Sequence, residues 1–359
     1  MKKLLALLLT AVLLTACSGT PVISPSSSQP QGAAESSSQE ESSSEAPEAA
    51  LPADGESVKT GLAVLPSVAS SKDATAEEPG LAQSDITLVA VTVDGNGVIT
   101  GCAIDSIQAK INFDQQGAIT TDLSTTFPTK GELGDGYGMK AASTIGKEWY
   151  EQADALAQYA VGKTAEDLRG IALTQDGKAA DADLAASVSI AIGGYVDGIV
   201  QAAESATYLG ASQGDTISLG AVTTMADSKN ATAEKEGLAQ AYGTVAAVTS
   251  RDGVISSCII DAVQCNVNMD AAGKITTDLA AAPLTKNQLG EDYGMKAASS
   301  IGKEWYEQAA AFAQYVVGKT ADEVTGIAVT ESGTAADADL AASVTVSIGA
   351  FQQVVAAAA

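Results

Sequence analysis

The chain has 359 residues, 44 acidic and 19 basic side chains, no histidine and a formal net charge of −25. At ~100–200 residues per domain, this length predicts two domains. The missing histidine excludes Ser-His-Asp and Cys-His catalysis, histidine metal sites and imidazole proton transfer, and the acidic surplus argues against nucleic acid, whose phosphates are bound by Lys and Arg.

Met1-Lys2-Lys3 precedes an apolar run from Leu4 to Leu14, followed by Thr15-Ala16-Cys17. A positive start, a short apolar core and small residues describe a secretory signal, and the run is shorter than the ~20 residues that cross a bilayer. Leu14-Thr15-Ala16-Cys17 resembles the bacterial lipobox. This resemblance implies a signal peptide over 1–16, acylation of Cys17, and a lipid anchor holding the protein on the extracellular face of the cell membrane. Residues 17–57 are dominated by Ser, Gln, Glu, Ala and Pro, a composition too poor in apolar surface to offset the entropy of ordering. A disordered tether is expected there.

The rest of the chain repeats itself. Lys130–Gly193 aligns with Lys286–Gly349 without a gap, and 45 of the 64 positions match. Upstream, Ser71-Lys72-Asp73-Ala74-Thr75 matches Ser228-Lys229-Asn230-Ala231-Thr232 at an offset one residue larger. One residue is therefore inserted in the first copy, most simply in Asp94-Gly95-Asn96-Gly97, where the second has Arg251-Asp252-Gly253. Units of ~145 residues are globular domains rather than solenoid repeats. The expected boundaries are 58–207 and 214–359, each with a modest core of its own.

Within a unit, Ile86–Val93 and Val98–Ile107 flank turn residues and predict a β-hairpin. Lys140–Val161 reads as a helix, with Ile145, Trp149, Ala153, Leu156 and Ala160 on one apolar stripe; this stripe predicts that Trp149 and Trp305 pack in the core. Thr164-Ala165-Glu166-Asp167 and Thr320-Ala321-Asp322-Glu323 resemble capping boxes of a short second helix. A strand over Gly170–Thr174, an extended stretch over Ala186–Ile192 and a terminal helix from about Gly193 complete the unit. Strands and helices without regular βαβ alternation predict an α+β fold: two tandem copies of one domain, each a small antiparallel sheet packed with helices.

Besides Cys17 the thiols are Cys102, Cys258 and Cys265. Buried free thiols are expected, a Cys258–Cys265 bridge being the intradomain alternative. Asp181, Asp183, Asp337 and Asp339 read as solvated carboxylates, because the further oxygen ligands and central glycine of a calcium loop are missing. Asp105 and Asp261 are expected to point outward from a strand. No metal site and no catalytic residue of the chain's own is expected. Tyr137-Gly138-Met139-Lys140 and its twin read as the entrance to a helix.

Three stretches resemble the extracellular FMN-binding domain of the flavin subunits of sodium-pumping quinone reductase and Rnf complexes and of Gram-positive surface flavoproteins. They are the opening hairpin (Val91–Ile99 and Val248–Ile255), the block from Lys130 to Trp149 with its twin Lys286–Trp305, and a C-terminal segment. In the last, the family has Asp-x-x-Ser-Gly-Ala-Thr, whose Thr is esterified to FMN by a flavin transferase. Here the segments read Asp183-Leu184-Ala185-Ala186-Ser187-Val188-Ser189 and Asp339-Leu340-Ala341-Ala342-Ser343-Val344-Thr345, with Ala-Ser-Val in place of Ser-Gly-Ala. The resemblance implies FMN held through Thr345 or Ser189, with Asp339, Asp183, Ser343 and Ser187 nearby. It also implies a flavin transferase and a membrane redox donor as partners, and a role as flavin carrier in extracellular electron transfer. The alternative is a non-catalytic surface binding or adhesion lipoprotein that kept the fold and lost the flavin.

Overall fold

The structure is a computed structural model that describes residues 55–359. The expected signal peptide, Cys17 and the tether up to residue 54 lie outside the described residues. The last tether residues are paired: Gly55 N–H donates to Gln213 O at 2.9 Å and Ser57 bridges Ser212. Gly55 and Ser57, read as tether, are thus part of the paired structure ahead of the boundary at 58.

Each repeat opens with an antiparallel sheet of three strands in sequential order. In the first these are β1 (Lys59–Ser67), β2 (Gly80–Val93) and β3 (Ile99–Phe113), followed by α1 (Lys130–Leu133), α2 (Trp149–Ala160), α3 (Ala165–Arg169), α4 (Ala182–Ser187) and α5 (Gly193–Ser205). The second runs β4 (Thr216–Thr224), β5 (Gly237–Arg251), β6 (Val254–Met269), α6 (Lys286–Leu289), α7 (Trp305–Val316), α8 (Ala321–Thr325), α9 (Ala338–Ala341) and α10 (Gly349–Ala358). The fold is α+β, as the sequence predicts.

β2 explains the layering. It alternates buried and half-buried residues from Gly80 to Thr87, then buries every residue from Leu88 to Val93. Alternation is the pattern of a sheet with one wet face, whereas a continuous buried run needs cover on both faces. α5 covers β1 and β2, and α2 covers β3; α10 and α7 do the same for the second sheet. The opposite faces of the two sheets meet. Ile86, Ile107 and Phe113 share one buried cluster with Val263, Cys265 and Met269. The order of layers is helix, sheet, sheet, helix, so a third core shared by both copies stands beside the two that sequence reasoning assigns.

The joint is pseudo-symmetric. Ala74 N–H donates to Gly273 O at 2.9 Å, and its equivalent Ala231 N–H donates to Gly117 O at 2.8 Å. Ile275 N–H reaches Asp73 Oδ1 at 2.7 Å, and Ile119 N–H reaches Asn230 Oδ1 at 2.8 Å. Gly117 and Gly273 both have φ of +68°, and a Cβ at either would lie within 2.8 Å of a carbonyl oxygen in the other repeat. Turn geometry and close approach both require glycine there.

The inserted residue lies where expected. Val93 pairs with Ile99 and the equivalent Ser250 pairs with Ile255, leaving five residues in the first turn and four in the second. The shorter turn is closed by Asp252 and Gly253 at φ of 51° and 76°, the two positive values of a type I′ hairpin. In the longer one the Asp94 carboxylate accepts from Asn96 N–H and Val98 N–H, each at 2.8 Å.

Three expected elements differ. The helix read over Lys140–Val161 starts only at Trp149, because Gly138 and Gly146 adopt φ of 76° and 63° and the Glu148 side chain binds Met139 N–H and Lys140 N–H. Tyr137–Lys140 is therefore a turn before a loop, not a helix entrance. The strand over Gly170–Thr174 reduces to one bridge, Leu173 to Ala179. Ala186–Ser187 belong to α4, nucleated by the Asp181 carboxylate, which accepts from Asp183 N–H and Leu184 N–H. The capping boxes at Thr164 and Thr320 form as read.

Candidate functional site

The two hydroxyls singled out by the resemblance sit on equivalent loops ahead of the terminal helices, and each is gripped by a glutamine. Gln308 is completely buried. Its Oε1 accepts from Thr345 N–H at 2.8 Å, Thr345 Oγ1 at 3.2 Å and Val346 N–H at 3.2 Å. Its Nε2 donates to Ser299 Oγ at 3.3 Å and Lys303 O at 3.2 Å. Gln152 repeats this around Ser189, taking Ser189 N–H at 2.8 Å, Ser189 Oγ at 3.1 Å and Ile190 N–H at 3.2 Å. A buried amide costs free energy unless satisfied; here both ends are paired. The glutamine lies on α2 or α7, one turn inside the helix start, so it joins the loop before that helix to the loop before the terminal one.

The neighbouring glutamate completes the clamp. Glu148 and Glu304 are 3% and 2% exposed. Glu304 accepts from Met295 N–H at 2.9 Å and Lys296 N–H at 2.8 Å, as Glu148 does from Met139 and Lys140. The long identical block shared by the copies is therefore a loop wrapped on two buried polar side chains.

Thr345 and Ser189 are half-buried, and so are Ser343 and Ser187. Asp339 and Asp183 are exposed, and their own N–H groups donate to Asp337 and Asp181. Thr345 and Ser189 are thus brought to the glutamine; the other four are not. A phosphate-linked flavin needs a hydroxyl for the ester and donors to balance the phosphate. α10 and α5 begin at Gly349 and Gly193, three residues beyond the last N–H bonded to each glutamine, and their N-cap residues Ile348 and Ile192 give no side-chain cap, with no acidic residue in the first turn. Uncapped helix starts favour anions, so the hydroxyl and the helix start fit the phosphate arm. The Trp rings do not supply a stacking face. Trp149 and Trp305 are 3% and 4% exposed, as the apolar stripe predicts, and pack against Tyr195 and Phe351 of the terminal helices.

A second cluster escaped sequence reasoning. The Lys286 ammonium lies 4.8, 4.5 and 4.9 Å from the ring centroids of Tyr242, Tyr293 and Trp305, and donates to the Tyr242 hydroxyl at 2.9 Å. Cation–π attraction offsets part of its desolvation, and burial still lowers its pKa to about 8. In the first repeat Lys130 lies 5.1 and 5.2 Å from Tyr137 and Trp149, but Asp85 pairs in register where the second repeat has Tyr242. The recurrence of Lys, Tyr and Trp at 130, 137, 149 and 286, 293, 305 was the available signal.

Asp105 and Asp261 do not point to solvent. Asp261 is 7% exposed, and its Oδ1 accepts from Ala262 N–H at 2.7 Å and Asn287 N–H at 3.0 Å. Asp105 does the same with Ser106 and Gly131, at 2.7 and 2.9 Å. Each ties its strand to the short helix that follows. Burial pushes the Asp261 carboxyl up to about 6 despite these bonds.

The three thiols are free. Cys258 belongs to the helix-side core and Cys265 to the shared core. An odd spacing along one strand puts them on opposite faces, so the Cys258–Cys265 bridge is not formed. Burial pushes the Cys102 and Cys265 thiols up to about 12, and Cys258 higher still.

No helix among the described residues is long and apolar enough to cross a membrane, and no group of three or more metal-binding side chains occurs among them. No family model matches the chain, and no solved structure matches it. Among curated proteins it is similar to a chlorophenol reductase of Desulfitobacterium hafniense, 30% identical over 112 residues. That match covers 28% of this chain and 34% of the reductase, so the chain spans about a third of that relative's length.

Proposed function

We propose that the protein is a membrane-tethered surface carrier that holds FMN through Thr345, with Ser189 as a second site, and relays electrons between a membrane donor and external acceptors. The observation that carries this reading is the loop built twice: a hydroxyl fixed by a buried glutamine, directly ahead of an uncapped helix start. Similarity to a protein named as a reductase, over part of the chain, supports a redox setting. The lipobox-like segment ending at Cys17 supports the anchor and the extracellular location.

A bound flavin would supply the redox chemistry. The chain's part is positioning. Gln308 holds the Thr345 backbone and hydroxyl in one orientation, so a flavin transferase meets a fixed acceptor oxygen. The start of α10 favours the phosphate charge. Gln152 and α5 repeat this for Ser189, whose smaller side chain leaves the hydroxyl less restricted.

The test is co-expression with a flavin transferase, followed by denaturing electrophoresis and flavin fluorescence of the band. Fluorescence that survives denaturation, falls in Thr345→Ala and vanishes when Ser189→Ala is added supports the reading. Fluorescence unchanged in the double variant overturns the assignment of these hydroxyls.

A further inference from the structure

The duplication leaves one cleft without a true counterpart. After α5 the chain crosses the second repeat before entering β4, laying Ser205, Thr207 and Leu209 against the wall formed by β6 and α7. Between them is a cavity of about 440 Å³, inside the ~300–1,000 Å³ range of small-molecule sites. At the pseudo-symmetric position, around Asp105, Thr129 and Leu219, the cavity is about 80 Å³. The difference lies in the segment after α5: Thr207 and Leu209 line the larger cavity, whereas the smaller one is lined by Leu219, Gly220, Ala221 and Ala357.

We propose that this cleft binds an uncharged aromatic molecule with hydrogen-bonding groups at its edge. Its walls set the class. Leu62, Leu209, Val317 and the Tyr306 side chain give apolar contact, while Gln201, Gln288 and Gln314 supply amides. No Lys or Arg lines the cleft, and its one charged side chain is the buried carboxylate of Asp261. An anion would enter against that carboxylate, and the nearby ammonium of Lys286, which partly offsets Asp261, is held among three aromatic rings outside the lining. A cation is not required either, because Asp261 already accepts two backbone N–H groups and is hydrogen-bonded by Thr285. An apolar body gains by leaving water, and the amides select for hydroxyl, carbonyl or amine edges. None of the hydroxyl-loop residues lines the cleft, so this site goes beyond the flavin reading and stands or falls without it.

The test uses the full chain carrying Cys17→Ser, so that no acyl chain competes for the probe. N-phenyl-1-naphthylamine, an uncharged aromatic amine that fluoresces in apolar surroundings, is titrated against the wild-type cleft, Ala310→Trp, Gln201→Trp and Asp154→Trp. Ala310 and Gln201 are exposed on opposite walls, and Asp154 is the exposed equivalent of Ala310 in the first repeat. Saturable binding at one site is expected, weakened about tenfold or more by either cleft tryptophan because the added ring fills the space, and unchanged by Asp154→Trp. If Ala310→Trp loses its far-ultraviolet dichroism, Gln201→Trp decides. Binding equal in all four proteins, or no saturable binding, overturns the proposal. So does tighter binding of the anionic probe 1-anilinonaphthalene-8-sulfonate at the same site.

Discussion

The carboxamide oxygen of Gln308 accepts from both the backbone N–H and the hydroxyl of Thr345, at 2.8 and 3.2 Å, and it does so from a completely buried position. The same relationship joins Gln152 to Ser189. Each glutamine also donates to the loop ahead of its own helix. Two segments about 40 residues apart in sequence are thereby fixed by one side chain, and the hydroxyl is held at a defined place.

Replacing that side chain should be costly. Gln308→Leu keeps the approximate volume but strands the N–H groups of Thr345 and Val346, which Gln308 now satisfies. Unsatisfied buried donors cost ~1–3 kcal/mol each, so denaturant unfolding should show a loss of roughly 2–6 kcal/mol. A change within ~0.5 kcal/mol would mean that water replaces the glutamine freely.

The shared core predicts that the repeats unfold together. Phe113 lies fully buried in the cluster made by both sheets, and Phe113→Ala should cost ~3–5 kcal/mol. Trp149 and Trp305 report on one repeat each. In Trp149→Phe and Trp305→Phe backgrounds, the remaining fluorescence should give coincident transitions, and Phe113→Ala should move both midpoints. Separate transitions would show that the sheet-to-sheet contact does not couple the copies.

Stability should pass through a minimum between about pH 6 and 8 when these two buried charges are isolated. Asp261 is pushed up to about 6 from an ordinary 3.8. The folded state thus binds its proton more tightly than the unfolded chain. That contribution is fully present below 3.8 and lost as pH rises through about 6. Lys286 is lowered to about 8 from 10.5, so its contribution is present above 10.5 and lost as pH falls through about 8. Asp261→Asn should flatten the acid limb, worth up to about 3 kcal/mol, and Lys286→Met the alkaline one. Difference curves between wild type and variants, measured by denaturant titration at each pH, check both limbs; limbs of opposite sign would contradict the assignment.

The thiols should be inert in the folded protein. Cys258 and Cys265 are buried, and desolvation raises all three thiols well above ordinary values. Since the thiolate is the reactive form, a thiol-exchange reagent should label Cys102, Cys258 and Cys265 only after unfolding. Fast labelling of Cys102 in the native protein would show that its strand opens.

Much of this fold is legible in the sequence, for identifiable reasons. β-branched runs around a turn specify the hairpin, the one-residue offset locates the longer turn, and Thr-x-x-Asp/Glu spacing marks the capped helices. The loop from Gly138 to Glu148 was not legible, because Lys140–Trp149 has helical composition and the deciding bonds come from a glutamate beyond it. The shared core escaped for a related reason. Continuous burial along β2 depends on a second sheet whose partner residues lie some 150 positions away. At the candidate site the hydroxyls of Thr345 and Ser189 are named by the resemblance of their segments to the family signature. Their glutamine is not, since Gln152 reads simply as one polar residue of an amphipathic helix.

The most direct test of the carrier reading is the intact mass of the protein extracted from its own host's membranes. A mass equal to the acylated chain plus one or two FMN units, returning to the acylated chain alone in Thr345→Ala combined with Ser189→Ala, is the predicted result. The acylated chain with no FMN, in cells that contain an active flavin transferase, would contradict it.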